Sequence, residues 1–383
     1  MIYMDNAATT RISEAAAKAM LDTMTSFWGN PSSHHQMGYL AKGQLKNFRK
    51  RIALCLGAKP QEIFFTSGGS ESDNWALESA AKYGEKIGKK HIISSAFEHH
   101  AILNKLKELE ERGFEITLLK PDCYGLIRSS DLSSAIREDT VLVSIMAVNN
   151  EVGSIQDIES FCKICKEKNI IFHTDAVQGI PHLTYNLNKM DINMLSASAH
   201  KFNGPRGIGF LYVKEGTPLF PLIYGGAQEQ EKRAGTENLP AIAGMTVALE
   251  ERKVLIGMET LNAIEKKDAL LAGLSQLGRD TFHLNGSLTA GVPTTINFCF
   301  TDIEGETLLN LLSTEEIYCS AGSACSAGDP DPSHVLLAMG LSPEMAKKSL
   351  RLSFDYNTSM GEINETIEKI KKSVGYIRGV YDK

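Results

Sequence analysis

Lys201 stands in the run Ser196-Ala197-Ser198-Ala199-His200-Lys201-Phe202-Asn203-Gly204-Pro205-Arg206-Gly207, directly after the apolar stretch Asp191-Ile192-Asn193-Met194-Leu195. A lysine delivered by the end of a buried strand into a turn of small residues is poorly placed for a surface charge. Burial there disfavours the ammonium form, and a neutral amine is the nucleophile that Schiff-base chemistry requires. Upstream, Ile170-Ile171-Phe172-His173-Thr174-Asp175 reads as a second buried strand, this one ending in an acid. The pair suits pyridoxal phosphate, whose aldehyde takes a lysine and whose ring nitrogen needs an acidic partner before the ring can act as an electron sink. Taken alone, each residue has an ordinary explanation: Asp175 as the cap of a following helix, Lys201 as a solvated charge.

A third part of such a site is the run Phe64-Phe65-Thr66-Ser67-Gly68-Gly69-Ser70-Glu71-Ser72-Asp73-Asn74, which reads as strand, glycine turn and helix start. Backbone N–H groups at the positive end of a helix dipole are a natural seat for a phosphate. The run is neither the Walker sequence nor the G-x-G-x-x-G fingerprint, so by itself it is equally a plain capped turn. Glu98-His99-His100-Ala101 follows another strand, and an imidazole at that sheet edge can stack on a pyridine face and shuttle protons. Asn149-Asn150-Glu151-Val152-Gly153 terminates a further strand, so that one amide can reach the cofactor's phenolic oxygen. Cys325 lies among small residues in the Gly- and Pro-rich stretch 320–332, the place in the chain best suited to a long functional loop. Its thiolate could attack a substrate, although an ordinary thiol is mostly protonated at neutral pH and needs a base or cation nearby. The alternative is an inert loop cysteine.

These residues need a sheet to hold them at one edge. From about residue 60 to 215 short apolar runs alternate with amphipathic ones: Ile63-Phe64-Phe65, His91-Ile92-Ile93-Ser94, Glu115-Ile116-Thr117-Leu118-Leu119, the run Val141 to Met146, Ile170-Ile171-Phe172, and Gly209-Phe210-Leu211-Tyr212-Val213. Continuous β-branched runs separated by helices predict an α/β fold with a mainly parallel sheet covered on both faces, whose ligands collect at the carboxyl ends of the strands. After a long helical pattern from about Ala241 to Leu277 the character changes, with Thr294 to Phe300 as a strand and Ile363 to Ile377 as a closing helix. The expected division is a large α/β domain over 15–255 and a smaller α+β domain formed by 1–14 with 256–383, which carries the Cys325 stretch.

With 383 residues, 43% hydrophobic and 22% charged, the chain has ample material for a large core. A net charge of −6 gives no electrostatic reason to expect nucleic acid or an anionic membrane surface as a partner. No apolar run approaches the ~20 residues that span a bilayer, and Met1-Ile2-Tyr3-Met4-Asp5 has neither the basic start nor the apolar stretch of a signal peptide, so the cytoplasm is the expected compartment. Seven cysteines spread thinly along the chain do not form a disulfide framework. Cys162-Lys163-Ile164-Cys165 has C-x-x-C spacing, but it lies in a helical pattern with no second pair near it, whereas structural zinc takes four ligands. No metal site is expected.

Taken in order, Tyr3-Met4-Asp5-Asn6-Ala7-Ala8-Thr9-Thr10, Gly29 to Ser33 with His35, Gly68 to Asn74, Glu98-His99, Asn149 to Gly153, Asp175 to Gln178, Ser198 to Lys201, Arg233 to Asn238 and Ser323-Ala324-Cys325 resemble the cysteine desulfurases of the NifS/IscS type. That family is a class V branch of the fold-type I pyridoxal phosphate enzymes, and the likeness runs almost end to end. The resemblance implies a seven-stranded, aspartate-aminotransferase-like large domain. It also implies that Lys201 carries the cofactor's aldehyde, that Asp175 holds the pyridinium, and that His99 stacks on the ring. Gln178 and Asn150 would contact the phenolic oxygen; Gly69, Ser70, Ser198 and His200 would hold the phosphate, with Thr236 reaching in from the partner subunit of a homodimer. Arg351 would bind the substrate carboxylate with its fork of donors, beside Asn30 and His35 on the substrate side. The implied reaction converts L-cysteine to L-alanine and leaves the sulfur on Cys325 as a persulfide. A sulfur-acceptor or scaffold protein would then collect it for iron–sulfur cluster assembly or for thiolation of tRNA or cofactors.

Departures from the family pattern fall in the acidic stretch Gln228-Glu229-Gln230-Glu231 before Thr236, at Ser70 and Arg206, and at Phe354-Asp355-Tyr356. A class V aminotransferase or a selenocysteine lyase would share Lys201, Asp175 and the phosphate loop, but a transaminase has no use for the Cys325 thiol. A thiol-based sulfur carrier or metal-binding protein built on Cys162, Cys165, Cys319 and Cys325 would leave the strand-end residues unexplained.

Overall fold

The computed structural model describes residues 1–321 and 331–379. Numbered along the chain, its strands are β1 (Ile2–Tyr3), β2 (Ile63–Thr66), β3 (His91–Ser95), β4 (Glu115–Leu119), β5 (Thr140–Ser144), β6 (Ile171–Asp175), β7 (Met194–Ser198), β8 (Gly209–Val213), β9 (Phe282–Asn285), β10 (Thr295–Phe300), β11 (Ile317–Tyr318) and β12 (Ser349–Ser353). Seven of them form one sheet in the order β2-β8-β7-β6-β5-β3-β4. Only β8 runs against its neighbours; the others are parallel.

Both faces of this sheet are covered, which is why its strands read as unbroken apolar runs. Alternate residues serve opposite faces. Phe65, Ile93, Val143, Phe172, Leu195 and Phe210 enter a core shared with the helices Gln36–Leu56, Ile158–Glu167 and Leu239–Gln276. Phe64, Ile92, Leu142, Ile171, Met194 and Leu211 enter a second core under the helices Gly69–Ile87 and His100–Glu111. Strand β7 runs three residues further toward Lys201 than the apolar stretch suggests. Ser196 and Ser198 are buried in it, and the Ser196 hydroxyl lies 2.9 Å from His173 Nε2 on β6, so polar residues satisfied across the ladder extend a strand that hydropathy alone would end.

A third core gathers Ile2 and Met4 with Ala263, Leu270, Phe298, Leu312, Leu352, Ile370 and Val374. It is built on the antiparallel sheet β12-β10-β9 and the parallel pair β1-β11. The 38-residue helix Leu239–Gln276 runs from the first core to this one, without a break at residue 256. Asn238 opens it by accepting from Ala241 N at 3.2 Å. The first strand of the chain thus lies beside the last third of it, bringing residues 5–10 to the rim of the large sheet.

Cys162 and Cys165 are both buried in the helix Ile158–Glu167, where burial pushes the Cys165 thiol up to about 12 and keeps both inert. Among the described residues no group of three or more His, Cys, Asp or Glu side chains could hold a metal ion, and no helix is long and apolar enough to cross a membrane.

Candidate active site

The carboxyl ends of β2, β3, β5, β6 and β7 meet at one cavity of about 180 Å³. Gly69, Ser70, His99 and Asn150 line it from the first three strands' loops, and Asp175, Gln178, Ser198, His200 and Lys201 from the next two. Arg351 closes it from β12. Ten of the candidate residues named from the sequence therefore share one space.

Lys201 ends the short 3-10 turn Ala199–Lys201 that follows β7. Its amine donates to the carbonyls of Ala7 at 2.7 Å and Ala8 at 2.8 Å. The turn itself is clamped by the amino-terminal segment: Thr10 N and Thr10 Oγ1 each donate to His200 O at 2.9 Å, and Asn203 N donates to Thr10 Oγ1 at 2.7 Å. Asn203 sits at φ 61°, a left-handed position that Asn tolerates better than most residues. Sequence patterns around Lys201 carry no sign of this clamp, because the residues that supply it lie some 190 positions away.

Asp175 is buried at the end of β6, and its Oδ1 accepts from Val177 N at 2.8 Å. It therefore caps the local turn and faces the cavity at once. Burial pushes its carboxyl upward, with the Val177 N–H and the Lys201 cation acting in the opposite sense. Beside it lies Asp73, from the second turn of Gly69–Ile87, 1% exposed and with no hydrogen-bond partner at Oδ1. Burial, reinforced by the neighbouring Asp175, holds Asp73 well above the usual carboxylate range. His173 stands 3.7 Å from Asp73 Oδ1, and its ring nitrogens meet Ser144 Oγ and Ser196 Oγ at 2.9 Å each. Burial drives this imidazole down to about 3, so it is neutral.

His99 caps the helix His100–Glu111: its Nδ1 accepts from Ala101 N at 3.1 Å. With Nδ1 accepting, the neutral ring carries its proton on Nε2. Burial first, and the Lys201 cation second, lower it to about 4, so the ring that faces the cavity is uncharged at neutral pH. Under it, the fully buried Glu98 accepts at Oε1 from the Ser95 hydroxyl and, at 2.9 Å, from Met146 N, while Oε2 has no partner. Burial raises Glu98 to about 8.

At the opposite end, Gly68 opens Gly69–Ile87 without any capping side chain, leaving first-turn N–H groups beside Ser70, Ser198 and His200. A Cβ on Gly69 would lie 2.6 Å from Val177 Cγ2, so glycine is required for the helix start to pack this closely on the β6 loop. His200 Nδ1 lies 3.1 Å from Thr9 Oγ1, and burial lowers this ring to about 4.

Arg351 is 1% exposed. Its Nη1 donates to Asn150 O at 2.8 Å and its Nη2 to Asp5 Oδ1 at 2.7 Å, while Nε is buried without a partner. Gln178 Nε2 donates to Ala7 O at 2.7 Å. Asn150 thus takes part through its carbonyl, whereas the Asn149 amide is spent on the backbone of Glu151, Val152 and Phe97.

Asn30, His35 and Thr236 do not line the cavity within one chain. Asn30 Oδ1 accepts from Ser32 N at 2.9 Å, His35 caps Gln36–Leu56 by accepting from Gly38 N at 3.3 Å, and Thr236 is exposed. Cys325 lies outside the described residues. The acidic stretch before Thr236 has a structural use at Glu229, which is 5% exposed and forked onto Arg49 at 2.6 and 2.7 Å. Asp73, Glu98, Ala7 and Ala8 were not singled out by residue type; the run holding Asp73 was read only for its glycines, and helical spacing, which turns Asp73 inward from Gly69, is the signal that could have found it.

Residues 2–365 match the model of the family described as aminotransferase class-V. The chain belongs to that family. It is 44% identical over 379 residues to the cysteine desulfurase IscS of Methanosarcina thermophila, covering 99% of this chain and 93% of the relative. The cysteine desulfurase IscS of Dictyoglomus turgidum is 41% identical over 379 residues, covering 99% and 96%. Among solved structures, a NifS-like protein superposes with a TM-score of 0.92 at 37% identity, over 98% of this chain and 99% of its own. SspA in complex with cysteine superposes with a TM-score of 0.82 at 36% identity, over 94% and 100%. The NifS/IscS resemblance carried by the motifs, and the fold-type I architecture it implies, both hold.

Proposed function

We propose that this protein is a pyridoxal phosphate-dependent cysteine desulfurase: it converts L-cysteine to L-alanine and passes the sulfur to Cys325 as a persulfide. The observation that carries this reading is the convergence of Lys201, Asp175, His99 and Arg351 on one cavity. The residues present fit the cofactor. A buried carboxylate at Asp175 suits a cationic ring nitrogen, whose charge would offset the burial that now disfavours its ionised form. The uncapped helix start at Gly69, with Ser70, Ser198 and His200, suits a phosphate, and Lys201 supplies the amine for the aldehyde. Asn150 and Gln178, which line the same cavity, are assigned to the phenolic oxygen.

When bound, pyridoxal phosphate supplies an electron sink conjugated with the substrate's α-carbon. Arg351 holds the substrate carboxylate with donors that Asp5 and Asn150 leave open. Lys201, whose amine would carry the aldehyde at rest, would be the base that takes the α-proton and can return it. His99, neutral and with its proton on Nε2, serves as a flat apolar face for the ring and a donor at its edge. Cys325, in its thiolate form, attacks the substrate sulfur. The S–S bond forms as the Cβ–S bond breaks, and the carbon skeleton keeps that bond's electron pair and leaves as alanine after protonation.

The proposal includes a homodimer, in which Thr236, exposed in one chain, reaches the partner's phosphate end. It includes an acceptor or scaffold protein that takes the persulfide sulfur, for iron–sulfur cluster assembly or for thiolation of tRNA or cofactors, and a cytoplasmic setting. The test combines a visible absorbance spectrum with alanine and sulfide assays. Lys201→Ala should lose the absorbance of lysine-bound cofactor, while Cys325→Ser should keep it and lose desulfuration. Full turnover by Cys325→Ser would refute the assigned nucleophile, and wild-type protein that binds no pyridoxal phosphate would refute the whole reading.

A further inference from the structure

We propose that Asp5 is a positioning residue for this site, setting the carboxylate anchor Arg351 and the reactive amine of Lys201 relative to one another. The inference rests on the desulfurase reading above. Asp5 does not line the cavity; it lies behind Arg351, with its Oδ1 accepting from Nη2 at 2.7 Å. Asn150 O takes the other terminal nitrogen, Nη1, at 2.8 Å. A planar guanidinium fixed at both terminal nitrogens can neither swing nor twist, so its remaining N–H directions are fixed too.

The same residue opens the turn that carries the other contact, so the carboxylate bond to Nη2 also anchors the main chain from which that turn starts. Asp5 O accepts from Ala8 N at 3.0 Å and, more weakly, from Thr9 N at 3.4 Å. Folding back in this way presents the carbonyls of Ala7 and Ala8 side by side, and these are the two acceptors of the Lys201 amine. The turn is stitched to β12, where Asn6 N donates to Ser353 O at 3.0 Å and Ala7 N to Ser353 Oγ at 2.9 Å. Ser353 and Arg351 are two apart on one strand and so share a face. Five consecutive residues, Asp5 to Thr9, thus tie the guanidinium on β12 to the amine after β7.

Charge explains why the position holds a carboxylate. Arg351 is 1% exposed, and a buried cation left unpaired is strongly disfavoured. Asp5, its side chain 18% exposed, neutralises the guanidinium before substrate arrives. The incoming carboxylate then meets an oriented fork and has no need to reorganise one, which is the condition for holding an α-carbon against Lys201.

The experiment compares Asp5→Ala and Asp5→Asn with wild type. The amide oxygen of Asn can still accept from Nη2, whereas Ala cannot. Asp5→Ala should raise KM for L-cysteine at least tenfold and lower kcat at least fivefold, with pyridoxal phosphate affinity within twofold of wild type. Asp5→Asn, which keeps the acceptor but not the charge, should recover at least half of the lost kcat while KM for L-cysteine stays raised. A readout independent of turnover is the rate at which acetic anhydride modifies Lys201 in the apoprotein, followed by mass spectrometry. That rate should rise at least threefold in Asp5→Ala and stay within twofold in Asp5→Asn. Wild-type kinetics in Asp5→Ala, an Asp5→Asn as impaired as Asp5→Ala, or equal Lys201 reactivity in all three proteins would overturn the proposal. Failure of the desulfurase reading would show separately, as wild-type protein that forms no alanine from cysteine.

Discussion

Replacing Glu98 by Gln should make this protein more stable than wild type by a margin that grows with pH. In the fold Glu98 is raised from 4.5 to about 8 because burial disfavours its charge, so between those pH values the native chain keeps a proton that the unfolded chain gives up. Stability contributed by the neutral carboxyl is complete below about pH 4.5 and is lost as pH rises toward 8, at about 1.4 kcal/mol per pH unit. Gln is nearly isosteric with the neutral acid. Its amide oxygen can take both bonds now made to Oε1, from Ser95 and Met146, and its nitrogen replaces the oxygen that has no partner. It cannot ionise, so the gain of Glu98→Gln over wild type should widen by about 2.5 kcal/mol between pH 5 and pH 7. Urea unfolding of both apoproteins at the two pH values, followed by tryptophan fluorescence and read as midpoint shifts at a common slope, measures it. A gap that stays the same at both pH values would mean that Glu98 is ionised in the fold and would refute the argument.

Three further outcomes follow from the same geometry. Arg351→Ala removes the charged donors facing the cavity, so KM for L-cysteine should rise by about one to two orders of magnitude, the equivalent of about 1.5–3 kcal/mol for hydrogen bonds to a charged group, with cofactor affinity unchanged; an unaltered KM in steady-state assays would exclude the role. Arg49→Ala strands the Glu229 carboxylate, whose side chain is 2% exposed, and should cost about 3–5 kcal/mol of stability, most of it recovered when Glu229→Gln is added; thermal unfolding of the single and double variants tests this, and no recovery would show that lost packing dominates. Glu231 is exposed and held at φ 64°, so Glu231→Gly should stabilise the chain by about 0.5–1 kcal/mol, the left-handed penalty less the chain entropy of glycine; a lower melting temperature would show that the Glu231 side chain does more than its exposure indicates.

The strand-end chemistry of this protein was legible in one dimension because a parallel α/β sheet sends successive loops to the same edge. Once the apolar runs around residues 63, 91, 141, 170 and 194 are read as strands, Gly69, His99, Asn150, Asp175 and Lys201 must lie near one another, whatever the helices between them do. That logic does not reach Arg351, which was named only through family resemblance, since β12 belongs to a different sheet and nothing local relates it to the others.

Tertiary structure alone decided the protonation states and the supports. Asp73, Glu98 and Asp175 are ordinary acids in the sequence; it is their removal from water into one interior that pushes each upward, and burial depends on all the segments packed around them. Glu229 is one residue of an acidic stretch in the sequence and in the fold is the buried partner of Arg49, 180 positions away. Asp5, Ala7 and Ala8 reach Arg351 and Lys201 only because β1 packs in the core built from the last third of the chain. Patterns of period two and 3.6 report which face a residue takes within its own element, but contacts across hundreds of residues exist only once the chain has closed on itself.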